Sequence, residues 1–283
     1  MKRILLLITI SALYSAHIFA QSEPVDTSWK KGGFIGLNFS QVGLTNWAQG
    51  GDNSVAFASS ANLFANYIKG NVDWQNSLDL AYSLVQSGTD KLRKSDDRID
   101  FTSKYSRKMS DHWLYGIIFN FKSQFADGFI YPDDSNIVSK FFSPAYMTLS
   151  PGITYKPLDY FEVFISPLAA KWTFVNDKNL SDVGAYGVDP GKTVRTELGA
   201  YLNMKFKKDI MENVNFTSKL ELFYNYTDSE NAGEIDVNWE NILTMKVNRF
   251  ITASVTAQLI YDADVIERTQ FKETIGVGFG YKF

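Results

Sequence analysis

The sequence predicts an all-β protein, a transmembrane antiparallel up-and-down β-barrel of about 12 strands. Three observations predict this fold. Apolar and polar residues alternate along most of the chain. The connections between these stretches are short and long in turn along the sequence, and the last stretch ends on an aromatic residue. Apolar runs fall well short of the roughly 18 residues that a transmembrane helix needs, so a membrane form of this chain would cross by strands.

The first 20 residues have the pattern of a secretory signal peptide. Lys2 and Arg3 form a basic start, Ile4 to Leu13 are apolar, and Ala20 offers a cleavage position. The mature chain would then comprise a periplasmic segment at 21–31 and a barrel at 32–283. We expect export to the outer membrane of a Gram-negative bacterium, where lipid surrounds the barrel. The chain has no cysteine, which excludes disulfides and thiolate metal sites.

Each strand is predicted from a period of two in the hydrophobic pattern. Between Val72 and Val85, for example, Trp74 and Leu80 share one face, whereas Asp79 lies on the other. The expected strands cover 32–44, 53–69, 71–86, 97–108, 112–126, 143–156, 160–175, 193–207, 213–227, 235–248, 250–262 and 268–283.

The connections indicate which ends of the strands face outward. Those after even-numbered strands are tight, and those after most odd-numbered strands are longer and polar, the longest being Asp127–Phe142 and Asn176–Lys192. This pattern is typical of outer-membrane barrels, with short turns in the periplasm and long loops outside. The even strand count places both ends of the barrel on the periplasmic side.

The last predicted strand carries two signals. Apolar residues at every second position lead to a terminal aromatic residue, and this resembles the C-terminal assembly signal of bacterial outer-membrane proteins. Phe279, Tyr281 and Phe283 would then be recognised by the barrel assembly machinery. A stripe of glycines, 276, 278 and 280, alternates with them and indicates close approach by other groups or a bend at the closing seam.

The first long connection contains Asn46, Trp47, Gly50 and Gly51. Asparagine and glycine suit a chain reversal, and Trp47 could sit at the membrane rim or fold over the mouth as a plug. The stretches W-K-K-G-G at 29–33, N-F-S-Q at 38–41 and N-W-A-Q-G-G at 46–51 resemble the start of an uncharacterised family of Bacteroidota outer-membrane proteins, a domain of unknown function. The resemblance implies a location and a fold, and no catalytic residue.

The polar faces of the strands are expected to line the lumen, where positive and negative side chains are nearly balanced. These charges either pair across strands and fill a small closed barrel, or line a narrow polar channel. Both alternatives stay open at this stage. The candidate lumen charges are Asp79, Asp100, Lys104, Lys122, Glu162, Arg195, Glu197, Lys219, Glu221, Asp236 and Glu240.

No catalytic, metal or cofactor site is expected. Of the two histidines, His17 belongs to the signal peptide and His112 to a tight periplasmic turn, so neither can serve as a base near an outer mouth. The net charge of −3 without a basic block argues against a nucleic-acid partner.

The leading functional hypothesis is therefore a passive channel for small polar solutes. The alternative is a closed structural or interaction barrel whose outer loops bind protein partners. A weaker alternative is a transporter of hydrophobic compounds with a lateral opening between the sixth and seventh strands. There, Pro151 and Pro167 fall at similar depth and are expected to kink the wall, with Phe164 and Trp172 on its inner side.

Overall fold

The computed structural model describes residues 28–44, 52–227 and 233–283. The expected signal peptide at 1–20 and the candidate loop residues Asn46, Trp47, Gly50 and Gly51 lie outside these ranges. In the described part, none of the helices is both long and apolar enough to cross a membrane.

Twelve antiparallel strands close into one barrel, which confirms the predicted fold class. The first strand begins at Trp29, so residues 29–31 belong to the barrel wall instead of a preceding segment. The wall strands are β1 (Trp29–Val42), β2 (Ser54–Lys69), β3 (Val72–Ser87), β4 (Arg93–Lys108), β5 (Trp113–Ser123), β8 (Ala145–Leu158), β9 (Phe161–Phe174), β10 (Val194–Met211), β11 (Val214–Asn225), β12 (Ile235–Lys246), β13 (Ile251–Asp262) and β14 (Ile266–Lys282).

The outer surface of the barrel is apolar. Large side chains such as Leu37, Ile165, Leu198 and Phe279 point away from the lumen and are exposed. Aromatic pairs gather where the short turns lie, for example Trp113 with Tyr155 at 4.7 Å between ring centroids. An apolar band edged by aromatic rings is the surface that a bilayer covers, so the barrel is built to span a membrane.

Two connections at the long-loop end of the barrel have structure of their own. Between β5 and β8, the short strands β6 (Gly128–Phe129) and β7 (Ile137–Ser139) form a hairpin. Residues 175–193, which we call the outer loop, contain helix α1 (Lys178–Asp182) and a 3₁₀ turn (Ala185–Gly187). The hydroxyl of Tyr186 donates a hydrogen bond to the Val138 carbonyl at 2.6 Å, so the outer loop and the hairpin are joined.

The outer loop is anchored at its start by Asp177. Its carboxylate accepts hydrogen bonds from the backbone N–H groups of Asn179 and Leu180, which caps α1. The Lys140 ammonium donates a further hydrogen bond at 2.7 Å and lowers the pKa of the Asp177 carboxyl. Within the loop, the apolar side chains of Val175, Leu180 and Val188 form a small core.

Strand β9 contains a β-bulge at Pro167 and Leu168. Its pairing with β10 passes from Ser166 opposite Tyr201 directly to Ala169 opposite Gly199, so two residues of β9 face one residue of β10. On the other side, the β8–β9 ladder breaks between Leu149 and Ile153.

This bulge occupies the place where two prolines were expected to kink the wall. Pro151 and Pro167 both lie on the outer face, since the inward residues Ser150, Ser166 and Ala169 beside them are fully buried. Buried inward side chains on both strands leave no passage through the wall here. A β-bulge bends the strand that contains it, and these buried residues give the expected lateral opening between β8 and β9 no support.

The bulge also reverses which side chains of β9 face the lumen. Beyond it, Lys171 and Thr173 are buried inside the barrel. Trp172 pairs with Met147 and Thr196, on the face opposite the buried Glu197. The expectation that Trp172 lines the inner side is therefore wrong, because one extra residue in a strand exchanges the two faces.

Candidate functional site

The lumen holds the charged side chains that the alternation pattern assigned to it. All eleven predicted lumen charges lie on the inner face, and each of them takes part in an ion pair. They are Asp79, Asp100, Lys104, Lys122, Glu162, Arg195, Glu197, Lys219, Glu221, Asp236 and Glu240.

Several of these ion pairs cross the lumen. Arg98 of β4 contacts Glu240 of β12 at 2.6 Å, and Lys219 of β11 contacts Asp79 of β3 at 2.9 Å. The strands of each pair are not neighbours in the barrel, so these side chains meet across its interior. Lys219 also lies 3.8 Å from Glu240, which links the two pairs.

A further pair joins the same group from β5. Lys122 donates a hydrogen bond to Glu221 of β11 and lies 3.9 Å from Asp100. Lys219 and Glu221, neighbours on one face of β11, thus each pair with a different strand and not with each other. We call the whole group the central cluster; it consists of Arg98, Lys122, Lys219, Asp79, Asp100, Glu221 and Glu240.

A second group, the outer cluster, lies nearer the long-loop end. Lys171 contacts Asp236 at 2.7 Å and Glu197 at 3.7 Å. Arg195 contacts Asp264 at 2.6 Å, which ties β10 to the turn between β13 and β14. The outer cluster consists of Lys171, Arg195, Glu197, Asp236, Asp262 and Asp264.

The remaining predicted charges form a separate pair. Lys104 of β4 contacts Glu162 of β9 at 3.1 Å, and both side chains are largely buried. An isolated buried charge is very unfavourable, so the mutual pairing explains how these side chains can lie in a packed interior. Charge pairing holds opposite parts of the wall together.

Sequence reasoning missed two important members of these groups for different reasons. Arg98 lies an even number of residues from Asp100 and Lys104 on β4 and therefore shares their face. The alternation pattern could have identified it. In contrast, Lys171 lies an even number of residues from the residues of β9 that face lipid before the bulge, so uninterrupted alternation would place it on their face. Only knowledge of the bulge could have placed it inside.

Apolar side chains fill one side of the lumen. Ile118, Phe164, Ala169, Tyr201 and Phe223 form a buried cluster contributed by β5, β9, β10 and β11. Together with the charged groups they make the inner faces of β3 to β5 and β8 to β12 a filled wall.

Inward glycines let large rings lie flat against the filled wall. A Cβ on Gly152 would approach the Phe164 ring to 2.7 Å, and a Cβ on Gly199 would approach the Phe223 ring to 2.9 Å. Each ring therefore covers the backbone of the next strand, where only glycine leaves room.

The inner faces of β1, β2, β13 and β14 are different, and we call them the small-residue wall. Apart from glycines, none of the described side chains in these four strands is buried. On β13 the inward residues include Thr252, Ser254 and Thr256, which are partly exposed. A cavity of about 180 Å³ lies between the central cluster and β13, where Gln258 and Ile260 line it.

The outer loop narrows the mouth above this interior. A Cβ on Gly187 would come within 3.0 Å of the Asp264 side chain, so the loop reaches from β9 and β10 to the turn between β13 and β14. Arg195 donates a hydrogen bond to the Gly187 carbonyl at 3.2 Å and holds the loop in this place. The outer loop therefore lies over the long-loop end of the barrel between β10 and the turn that joins β13 to β14.

The described carboxylates of the lumen are grouped with lysine and arginine side chains. Across residues 28–44, 52–227 and 233–283, no group of three or more His, Cys, Asp and Glu side chains is arranged to hold a metal ion. The carboxylates of the central and outer clusters contact lysine and arginine side chains of the protein.

Two family descriptions match separate parts of the chain. Residues 39–129 match "Protein of unknown function (DUF3078)" and residues 172–283 match "Protein of unknown function, DUF481". Neither covers half of the chain, and neither description names an activity. No curated protein matches the chain.

Several solved outer-membrane proteins are similar at low identity. The NanC porin is 11% identical over 88% of this chain and 98% of its own, with a TM-score of 0.42. An outer membrane channel from Pseudomonas putida F1 is 13% identical over 92% and 98%, with a TM-score of 0.40. The outer membrane phospholipase of Salmonella typhi is 13% identical over 88% and 90%, with a TM-score of 0.39. Sequence identities and TM-scores at this level do not indicate a function.

Proposed function

We propose that the protein is an outer-membrane channel through which small polar solutes pass along the small-residue wall. The observation that supports this is the asymmetry of the lumen. Ion pairs and buried rings occupy the filled wall, whereas glycine, serine and threonine leave room on the opposite side toward the long-loop end. The rings of Phe34 and Phe64 lie on that side nearer the short turns. The serine and threonine hydroxyl groups can exchange hydrogen bonds with water and with a passing solute.

The proposal includes an orientation. The long-loop end faces the outside and the short-turn end faces the periplasm, after export by a signal peptide at 1–20. The exposed apolar band on the outer surface supports a membrane location.

The charge balance supports a preference for cations and neutral solutes. In the central cluster and in the outer cluster, carboxylates outnumber the lysine and arginine side chains. A lumen with excess negative charge raises the local concentration of cations.

Conductance in a planar bilayer tests the proposal. We expect small, steady openings from the refolded protein. Thr256→Trp, which places a large ring on the inner face of β13, is expected to reduce conductance several-fold. Its matched control is Ala257→Trp, which points to the lipid on the same strand and is expected to leave conductance unchanged. Equal effects of the two substitutions would contradict a path along this wall.

The same measurement distinguishes the channel from a second candidate, a closed interaction barrel. The observation that favours it is the ordered outer loop with its own apolar core, joined to the β6–β7 hairpin. A folded barrel without conductance under any condition would support this candidate and refute the channel.

A further inference from the structure

The seam between the first and last strands of the barrel closes over only part of its length. Four residue pairs join β1 and β14, from Phe34 opposite Lys282 to Leu37 opposite Phe279. By comparison, fourteen pairs join β1 and β2. The closed part of the seam lies at the short-turn end.

Toward the long-loop end, the two strands continue without pairing to each other. Asn38–Val42 pairs with β2 on its other side, and Ile266–Gly278 pairs with β13. In the described residues, neither stretch has a strand partner across the seam. We call the space between these two stretches the upper seam.

The two edges of the upper seam have opposite chemistry on their two faces. Toward the lipid, Phe39, Phe271 and Ile275 are between 64% and 75% exposed, and Glu273 lies between the last two on the same face of β14. Toward the lumen, the same strands present Asn38, Ser40 and Thr274, together with Lys272. A molecule lying in the upper seam would therefore contact apolar side chains at one end and polar side chains at the other.

The glycine stripe keeps the lumen side of the upper seam free of bulk. A Cβ on Gly278 would fall within 1.7 Å of the Asn38 amide oxygen, and one on Gly276 would lie 3.3 Å from its amide nitrogen. Asn38 is thus the side chain that leans across the glycines here. Because it is uncharged and its side chain can rotate about two bonds, it can move aside where a branched side chain on β14 could not.

Backbone polarity also indicates an occupant with a polar end. Unpaired N–H and C=O groups are unfavourable in hydrocarbon, and open sheet edges are tolerated at membrane depth only beside water or polar groups. Lumen water or the head group of an amphiphile meets this requirement, whereas an acyl chain alone does not.

We propose that the upper seam is a lateral binding site for a single-chain anionic amphiphile, with its acyl chain between Phe39 and Phe271 and its head group in the lumen near Lys272. The charge follows from Lys272, whose side chain is 46% exposed and contacts Asp96 of β4 at 2.5 Å. A carboxylate or phosphate head group can replace Asp96 on this ammonium. The site goes beyond the proposed channel, since it opens toward the bilayer and not along the barrel axis.

A disulfide across the upper seam tests the site, because the chain has no cysteine of its own. Extending the register of the closed part places Ser40 opposite Gly276, so Ser40→Cys with Gly276→Cys would close the upper seam when oxidised. The matched control, Ile35→Cys with Tyr281→Cys, joins residues that already pair. Reduced samples of each variant show whether the substitutions themselves disturb the barrel.

The probe is a sixteen-carbon fatty acid with a diazirine in its chain, in phosphatidylcholine vesicles. We expect photolabelling at Phe39, Phe271 and Ile275 in the reduced variants and in the oxidised control. Oxidising the Ser40 and Gly276 pair should lower this labelling at least several-fold, and an alkyl trimethylammonium probe should label weakly throughout.

Two results would overturn the site. One is equal labelling before and after oxidation of the upper seam, and the other is equal labelling of Leu220, which faces lipid on the far wall. Conductance of the oxidised variant separates this site from the channel. A barrel that still conducts but no longer labels supports both proposals, and a silent barrel that labels normally when reduced refutes only the channel.

Discussion

The two halves of the lumen use inward positions in opposite ways. On the filled wall, side chains such as Lys171 and Phe164 are buried, meet partners on distant strands and leave little space. On the small-residue wall, inward positions such as Ser254 and Gly276 carry little bulk and remain accessible. A barrel of one architecture can therefore be packed like a protein core on one side and have accessible inward positions on the other.

Under the proposed function, this difference assigns stability to one wall and passage to the other. Ion pairs that cross the interior stabilise the barrel only when both partners are present. The small-residue wall contributes few such contacts, so it can serve passage and binding without weakening the fold. The predictions below test this division from the largest expected effect to the smallest.

Inserting one alanine after Leu168 should have the largest effect. The insertion moves the residues beyond the bulge by one position and turns Lys171 toward the lipid, where a lysine costs about 2–4 kcal/mol at the bilayer midplane. We expect loss of the folded band whose electrophoretic mobility changes on heating. Leu168→Ala keeps the residue count and is expected to fold. An insertion variant that folds normally would show that the number of residues at the bulge does not set the facing of β9.

Removing one partner of the outer cluster should have the next largest effect. Lys171→Met leaves Asp236 and Glu197 without their ammonium group and is expected to cost about 3–5 kcal/mol in urea unfolding from lipid vesicles. The control is Lys178→Met in α1, where the side chain is 83% exposed and its pair with Asp182 contributes at most about 1 kcal/mol. Similar losses in the two variants would indicate that water fills the lumen on both sides.

Adding one methyl group to each wall should change the free energy of unfolding less, and it compares the packing of the two walls directly. A Cβ on Gly152 meets the Ile165 carbonyl oxygen at 2.3 Å, which requires the backbone to shift. We therefore expect Gly152→Ala to cost about 1–3 kcal/mol. Gly276→Ala meets only the movable end of Asn38 and should stay within about 0.5 kcal/mol of the parent protein. The reverse order of these losses would contradict the assignment of the two walls.

The outer loop should show a modest dependence on pH. Lys140 lowers the folded pKa of Asp177, so their contact stabilises the loop above the ordinary aspartate pKa of about 3.9 and is lost as the pH falls through the lowered value. A spin label at Val183→Cys should become more mobile in this acid range. Adding Lys140→Met should move the change to higher pH, and an unchanged midpoint would show that Lys140 does not govern it.

Much of the wall could be predicted because a half-buried strand repeats every two residues. Val72 to Val85 and the terminal stretch from Ile275 to Phe283 show this repeat clearly, and both lie in strands of the barrel. The same repeat placed the eleven candidate lumen charges on the face where the structure has them, including Lys219 and Glu221 on β11.

Two properties could not be read from that repeat. Pro167 marked an irregularity, but a proline does not tell whether a strand gains a residue there, so Trp172 was assigned to the wrong face. Partners across the lumen, such as Arg98 and Glu240, depend on how twelve strands are staggered around the barrel, and this is a property of the closed assembly and not of any one strand.

The closed part of the seam affects the order in which the strand pairs of the barrel form during folding. The N–H and C=O groups of Gly33 and Phe283 bond to each other at 3.0 and 3.1 Å, across nearly the whole length of the chain. The other neighbouring strands of the barrel follow one another along the chain, and such local contacts form quickly, whereas contacts that close a long chain segment form slowly. We expect the hairpins to assemble first into a curved open sheet and the link between Gly33 and Phe283 to form last.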